Sequence, residues 1–191
     1  MRKIRAAVIA ALVIVLLGAL SLVLLGWGER EPVYQGKPLS YWLSDFWPGR
    51  NPTPEKLEQD KLAVRRIGTN AIPILLRWIS AKDSSIKEKM VTWIYEHPWM
   101  PFRIRSSLDK NMLAVTGFSI LGKPQASSAI PALIEFVRRG VGDQFSGDNN
   151  ATFPMIALAD LDREAATNAG IQFGTNGNVI GWIKPVTVTN R

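Results

Sequence analysis

Two copies of one helix–turn–helix pattern limit the folds open to this chain more than any other feature. In each copy a helical run of apolar residues ends at a glycine, and the next run opens with Ala-Ile-Pro. The landmarks are Ala63-Val64, Ile67-Gly68 and Ala71-Ile72-Pro73 in the first copy, and Ala114-Val115, Leu121-Gly122 and Ala129-Ile130-Pro131 in the second. Glycine commonly stops a helix, whereas proline is tolerated in a first helical turn, whose N–H groups have no intrahelical partner. Each copy therefore predicts two helices joined by a tight turn.

A third copy of the pattern is present but degraded. It occupies Ala157–Ala169, about 40 residues after the second copy, which is the period of two-helix repeats. Where Ile-Pro is expected, the chain reads Gly170-Ile171. This copy is either a terminal cap or the end of a truncated array. The tail, residues 170–191, is rich in glycine and asparagine and predicts loop, with a short strand or hairpin allowed by the β-branched residues of Val179–Thr189.

A two-helix repeat of this kind cannot bury its apolar face alone, and stacked pairs create a continuous core. The motifs Ile67–Leu76 and Leu121–Ile134 resemble short bacterial HEAT repeats. Tyr34–Leu43 resembles the lead-in of membrane-anchored bacterial proteins built from such repeats, which have no assigned activity. The resemblance spans residues 34–169. It implies an all-α fold, a short HEAT-like α-solenoid of antiparallel helix pairs, and indicates no chemistry.

The N-terminal segment, residues 1–28, predicts a transmembrane signal anchor. Arg2, Lys3 and Arg5 precede the uncharged apolar run Ala6–Trp27, which has 22 residues. At about 1.5 Å per residue, this run can cross a hydrocarbon core of about 30 Å. Basic residues on its N-terminal side predict a cytoplasmic N-terminus, a single pass through the inner membrane, and a periplasmic or extracellular domain. A cleaved signal peptide is the alternative, although the run is long for one and lacks an Ala-x-Ala site.

Charge gives no sign of a nucleic-acid partner. The formal charge of the chain is +7, and three of those charges precede the apolar run. The remainder carries 20 basic and 16 acidic side chains, an ordinary solubility charge. We therefore expect no nucleic-acid binding.

The residues that carry most enzyme and metal chemistry are scarce. The chain has no cysteine and one histidine, His97, which excludes the usual Cys/His zinc sites and a Cys–His pair. Phosphate-loop and nucleophile-elbow motifs are absent from the sequence. The acidic residues Asp143, Asp148, Asp160 and Asp162 lack the order of a calcium loop and are read as a solvated loop. We expect no catalytic residues, no cofactor and no metal site.

Two stretches outside the repeats carry further predictions. In residues 29–53, a turn at Gly36 precedes a short helix with Ser40 as its N-cap and with Leu39 and Leu43 packing at its entry. In the insertion Ser84–Arg105, Ser84 or Ser85 begins a helix before His97-Pro98 breaks the chain. Its apolar residues at helical spacing predict a packed face, with Trp93 in the core: Ile86, Met90, Trp93 and Ile94.

The aromatic loop that follows is the candidate binding surface. It contains Trp99, Met100 and Phe102, and Pro98 and Pro101 keep Trp99-Met100 out of a helix. If exposed, such a group can anchor a partner; the alternative is that these side chains fill the gap where the insertion separates two repeats. The division predicted is an anchor at 1–28, a juxtamembrane segment at 29–53, HEAT-like repeats at 54–169 and a tail at 170–191. The predicted function is that of a membrane-tethered, exported helical-repeat module for protein binding or scaffolding, without enzyme activity. The alternatives are a HEAT-like lyase or small-molecule binder, by fold analogy, and a structural subunit of an envelope complex.

Overall fold

A computed structural model describes residues 12–18, 30–97, 99, 104–142 and 152–183. The chain divides into two compact units, Met1–Arg30 and Glu31–Arg191. In the first unit, residues 12–18 form helix α1. Within the described part of the chain, none of the helices combines the length and the apolar character needed to span a bilayer. Most of the predicted anchor lies outside the described residues.

The second unit is mostly helical, which confirms the all-α prediction at that level, and a small hairpin lies near each end of the described chain. Its helices are α2 (Leu39–Leu43), α3 (Pro54–Ile67), α4 (Ile72–Ile79), α5 (Ser85–Glu96), α6 (Ser107–Ala126), α7 (Ile130–Gly142), α8 (Thr152–Leu161) and α9 (Arg163–Asn168). Strands β1 (Val33–Tyr34) and β2 (Lys37–Pro38) pair antiparallel, as do β3 (Ile171–Phe173) and β4 (Val179–Trp182).

Both predicted glycine turns are present. Helix α3 ends at Gly68, which has a φ of 59° and begins a 3-10 turn leading into α4. Helix α6 is interrupted at Gly122, where φ is 65° and ψ is 175°. It continues for one more turn to Ala126 before a second 3-10 turn, Ser127–Ala129, leads into α7. Positive φ is costly for residues with a Cβ, so glycine determines where each helix changes direction.

The core forms where α4 crosses α6 and where α6 and α7 meet α8. Gly117 of α6 lets α4 come close, because a Cβ on Gly117 would lie 2.6 Å from Leu75 Cδ2. The largest side chains are fully buried along these contacts: Trp78, Phe118, Leu133 and Leu158. The two complete helix pairs and α8 therefore share one continuous hydrophobic core.

The degraded third copy ends in a hairpin. Helices α8 and α9 keep the helix–turn–helix form, and Asp162 caps α9 by accepting a hydrogen bond from Ala165 N–H. Instead of a helix opening with Ile-Pro, buried Ile171 begins β3. Trp182 Nε1 donates to the Ala169 carbonyl at 2.7 Å and attaches β4 to the end of α9. This hairpin is one of the two tail structures that the sequence allowed.

Candidate functional site

The prediction that the face of α5 is packed is wrong for three of its four residues. Ile86 is 78% exposed, and Met90 and Trp93 are each 46% exposed, whereas Ile94 is half-buried. The helix is turned so that Lys87, Val91 and Ile94 form its half-buried side. No residue of α5 is buried. Trp93 is therefore a surface residue, because the described parts of the chain do not cover this side of α5.

Aromatic rings extend the exposed row beyond the end of α5. The His97 ring stacks on Trp93 with centroids 4.5 Å apart, and His97 Nδ1 lies 2.7 Å from the Trp93 carbonyl oxygen. Trp99 meets the His97 ring edge-on at 6.3 Å and is 73% exposed. We call this set, in which His97 is half-buried and the other four residues are exposed, the α5 patch: Ile86, Met90, Trp93, His97 and Trp99. Two of the three predicted partner-binding residues, Met100 and Phe102, lie outside the described residues.

One carboxylate fixes the base of the segment that carries the patch. Asp83 Oδ2 accepts a hydrogen bond from Ser107 N–H at 2.7 Å, and Asp83 Oδ1 pairs with Lys87 Nζ. Asp83 thus joins the start of α5 to the start of α6. We call residues 84–106, which lie between these two points in the sequence, the α5 arm. Burial raises the pKa of Asp83, but these hydrogen bonds outweigh it and hold the pKa below its ordinary value of 3.8.

Both helices at the base begin with strong caps. Ser84 Oγ accepts a hydrogen bond from Lys87 N–H at the start of α5. Ser106 and Asp109 form a capping box at the start of α6, in which each side chain accepts from the other residue's N–H. The ends of the arm are therefore well determined by local hydrogen bonds, while the patch is exposed.

The end of the arm also contacts the first residues of the second unit. Arg105 Nη1 lies 3.7 Å from Glu31 Oε1, and Glu31 Oε2 accepts a hydrogen bond from Ser40 N–H at 2.6 Å. This corrects the prediction for Ser40, which lies inside α2; Pro38 is the N-cap residue and provides no side-chain cap. The carboxylate of Glu31 satisfies the helix N-terminus instead, across the β1–β2 hairpin.

Beside this contact lies a cleft of about 200 Å³ with two arginines on its walls. We call it the arginine cleft; it is lined by Ser44, Trp47, Arg50, Arg105, Asp109 and Leu113. The carboxylate of Asp109 is already engaged by Ser106 N–H at 2.8 Å. The charge of Arg50 acts on Asp45 and adds to the effect of Lys56 in lowering the pKa of that carboxyl. The cleft therefore presents cationic hydrogen-bond donors beside an indole ring.

An ionic cluster around one buried carboxylate attaches the segment after α2 to α3. Lys56 Nζ lies 3.0 Å from Asp45 Oδ2 and also pairs with Asp60 Oδ1. The Asp60 side chain is fully buried, and burial raises its pKa despite Lys56. The hydrogen bond from Lys56 lowers the pKa of Asp45. A carboxyl group closed to solvent cannot reach a substrate, so we assign this cluster to the packing of the domain.

The remaining acidic candidates give no metal site that can be described. Asp143 and Asp148 lie outside the described residues, and Asp162 is paired with Lys123 Nζ at 2.7 Å. Among the described residues, no group of three His, Cys, Asp or Glu side chains is placed to hold a metal ion.

Comparison with known protein families, with curated proteins and with solved structures finds no match to this chain. The resemblance to HEAT repeats therefore stays a prediction from the motifs. Conclusions about function have to come from the surfaces of the chain itself.

Proposed function

We propose that this protein is a membrane-tethered, exported helical-repeat module that binds another protein through the α5 patch. The observation that carries the proposal is the exposure of Ile86, Met90 and Trp93 on a helix whose sequence is amphipathic. Contiguous exposed apolar residues are typical of interaction sites. Trp is also enriched among the residues that dominate binding energy at interfaces.

The repeat part of the proposal is a short HEAT-like solenoid. Two contacts between equivalent turns support it: Arg65 Nε donates to the Ile120 carbonyl at 3.3 Å, and Gln125 Nε2 donates to the Arg65 carbonyl at 3.2 Å. They connect the ends of α3 and α6, which occupy the same position in successive copies. Stacking in register is the arrangement expected of repeat proteins.

The spacing of the patch indicates the kind of partner. Ile86, Met90 and Trp93 follow one another at i, i+4 and i+7, the spacing that pairs with an amphipathic helix of another chain. Met adapts to varied partner shapes, and the stacked Trp93–His97 pair offers a large flat anchor. We therefore propose a helical segment of a second protein as the occupant.

A site-specific cross-link tests the proposal in the native membrane. A photo-reactive amino acid placed at Met90 should capture one protein, and the same group at Leu62, which is exposed on α3, should not. The substitution Trp93→Ala should weaken capture at position 90. Capture of the same proteins in equal amounts from both positions would contradict a specific site. Cross-links from position 90 to lipid would mean that the patch contacts the bilayer and not a protein.

A further inference from the structure

We propose that the arginine cleft binds the phosphate group of a membrane phospholipid. The inference rests on the proposed membrane tether and adds a second contact between the domain and the bilayer. It concerns Arg50, Arg105 and Trp47, none of which belongs to the α5 patch.

Only a short connection separates the apolar run from the residues beside the cleft. The apolar run ends at Trp27, and Glu31 follows four residues later. At about 3.5 Å per residue, that connection spans at most about 14 Å. Glu31 in turn lies 3.7 Å from Arg105, whose side chain lines the cleft. Because the headgroup layer begins where an anchor leaves the hydrocarbon, Glu31 of a tethered chain is at most about 14 Å from it.

The chemistry of the lining matches a phosphate diester. Guanidinium groups bind phosphate through pairs of parallel hydrogen bonds, and Arg is used where that geometry matters. Arg50 and Arg105 line the same small cleft, so one phosphate can be held from two sides. Trp47 adds a ring of the kind that is enriched at the interface between membrane and water.

The carboxylates near the two arginines are engaged in contacts of their own. Asp45 lies 3.0 Å from Lys56 Nζ, which lowers the pKa of Asp45, and the charge of Arg50 adds a smaller effect. Glu31 Oε2 is engaged by Ser40 N–H and Asp109 Oδ2 by Ser106 N–H, both at helix N-termini. The single contact from Glu31 to Arg105 is long for a charged hydrogen bond, at 3.7 Å. A phosphate oxygen can therefore approach both guanidinium groups without displacing a strong internal ion pair.

The absence of cysteine from the sequence makes a clean experiment possible. The full chain with Asn51→Cys, exposed next to Arg50, is labelled with a fluorophore and reconstituted into vesicles of phosphatidylcholine and phosphatidylglycerol. Some of the lipids carry a nitroxide on the headgroup, which quenches nearby fluorophores. We expect strong quenching, reduced several-fold by Arg50→Gln combined with Arg105→Gln. The matched control, Arg66→Gln combined with Arg138→Gln, removes the same charge from exposed positions elsewhere and should leave quenching unchanged.

Flotation of the same vesicles separates the two proposals. A chain that does not float with the vesicles overturns the tether, and with it the proposed function. A chain that floats but shows equal quenching in all three proteins overturns the cleft assignment alone. Inorganic phosphate, added at constant ionic strength, should not relieve the quenching. If it does, the ligand is free phosphate, and the lipid assignment is wrong.

Discussion

Helices α4 and α5 carry the same sequence signal and lie in opposite environments. Both place apolar residues at i, i+3, i+4 or i+7, and both follow a recognisable start. In α4 that face is buried against α6, with Leu75 and Trp78 at 1% exposure or less. In α5 no residue is buried. Periodicity thus identifies which side of a helix is apolar, whereas the neighbouring elements decide whether anything covers that side.

The close approach at Gly117 accounts for much of the difference. It lets α6 lie against α4, and 20 residues of α6 then offer α4 a long partner surface. Helix α5 begins two residues after Asp83, and among the described elements it has no comparable partner. An apolar face outside the core of its own chain is available to another molecule.

The largest expected effect is a difference in stability between substitutions at Trp78 of α4 and Trp93 of α5. Trp78→Ala should lower the free energy of unfolding by about 3–5 kcal/mol, because it removes a buried ring and leaves a cavity. Trp93→Ala should change it by at most about 0.5 kcal/mol, as surface substitutions usually do. Urea denaturation of the full chain in detergent, followed by circular dichroism, measures both. A loss of similar size for Trp93→Ala would mean that α5 is packed after all.

A second change targets the helix crossing itself. Gly117→Val should cost about 1–3 kcal/mol, because the added methyl groups meet Leu75 in a filled core. Ser119→Val is the matched control, since it places the same side chain at an exposed position on the same helix. Equal stability of the two variants would show that α4 and α6 are not in close contact at Gly117.

The base of the α5 arm gives a smaller, local effect. Asp83→Ala removes the acceptor for Ser107 N–H and the partner of Lys87, and a hydrogen bond to a charged group contributes about 1.5–3 kcal/mol. Amide hydrogen exchange in α5 should accelerate by about tenfold or more, which corresponds to about 1.4 kcal/mol. Exchange in α4 serves as the internal reference and should be unchanged. An unchanged rate in α5 would contradict the role of Asp83 as the fixed point of the arm.

The pH dependence of the same carboxylate has a definite sign. Because the folded pKa of Asp83 is below 3.8, its contribution to stability is present above that value and is lost as the pH falls through the folded pKa. Protection of α5 from exchange should therefore weaken at acid pH in the wild type, and Asp83→Ala should remove that dependence. Acid-dependent exchange that persists in the variant would assign the effect to another group.

The smallest effect is expected at Asp60, where the pH dependence of stability has the sign opposite to that for Asp83. Burial raises the pKa of Asp60 above 3.8. Its contribution to the free energy of unfolding is therefore fully present below 3.8 and is lost as the pH rises through the folded pKa. The stability of Asp60→Asn relative to the wild type should therefore increase from pH 4 to pH 7. Urea denaturation of both proteins at pH 4 and pH 7 measures this difference in stability. A decrease in the stability of the variant relative to the wild type would show that pairing with Lys56 outweighs burial.

Sequence reasoning succeeded where the determining contacts are local. Gly68 and Gly122 ended helical runs as predicted, and Ser84, one of the two predicted starts, is the N-cap of α5. These features depend on residues at most a few positions apart, and capping and positive-φ rules describe them.

Sequence reasoning failed where a residue that is distant in the sequence makes the determining contact. Ser40 suits an N-cap by type, but Glu31, nine residues earlier, provides the carboxylate that satisfies the α2 N-terminus. The contact between Asp83 and Ser107 and that between Glu31 and Arg105 join positions far apart in the sequence, and neither leaves a local pattern. The arginine cleft and the exposure of Trp93 were missed for the same reason.

We infer that the described parts of the chain leave the α5 patch uncovered and that a partner covers it in the membrane. Hydroxyl-radical footprinting with mass spectrometry tests it, comparing native membranes with the purified full chain in lipid nanodiscs. Buried Trp78 is the internal control and should be protected in both. We expect Met90 and Trp93 to be protected in native membranes and reactive after purification. Protection in both samples would mean that the chain covers the patch itself, and reactivity in both would mean that nothing binds it.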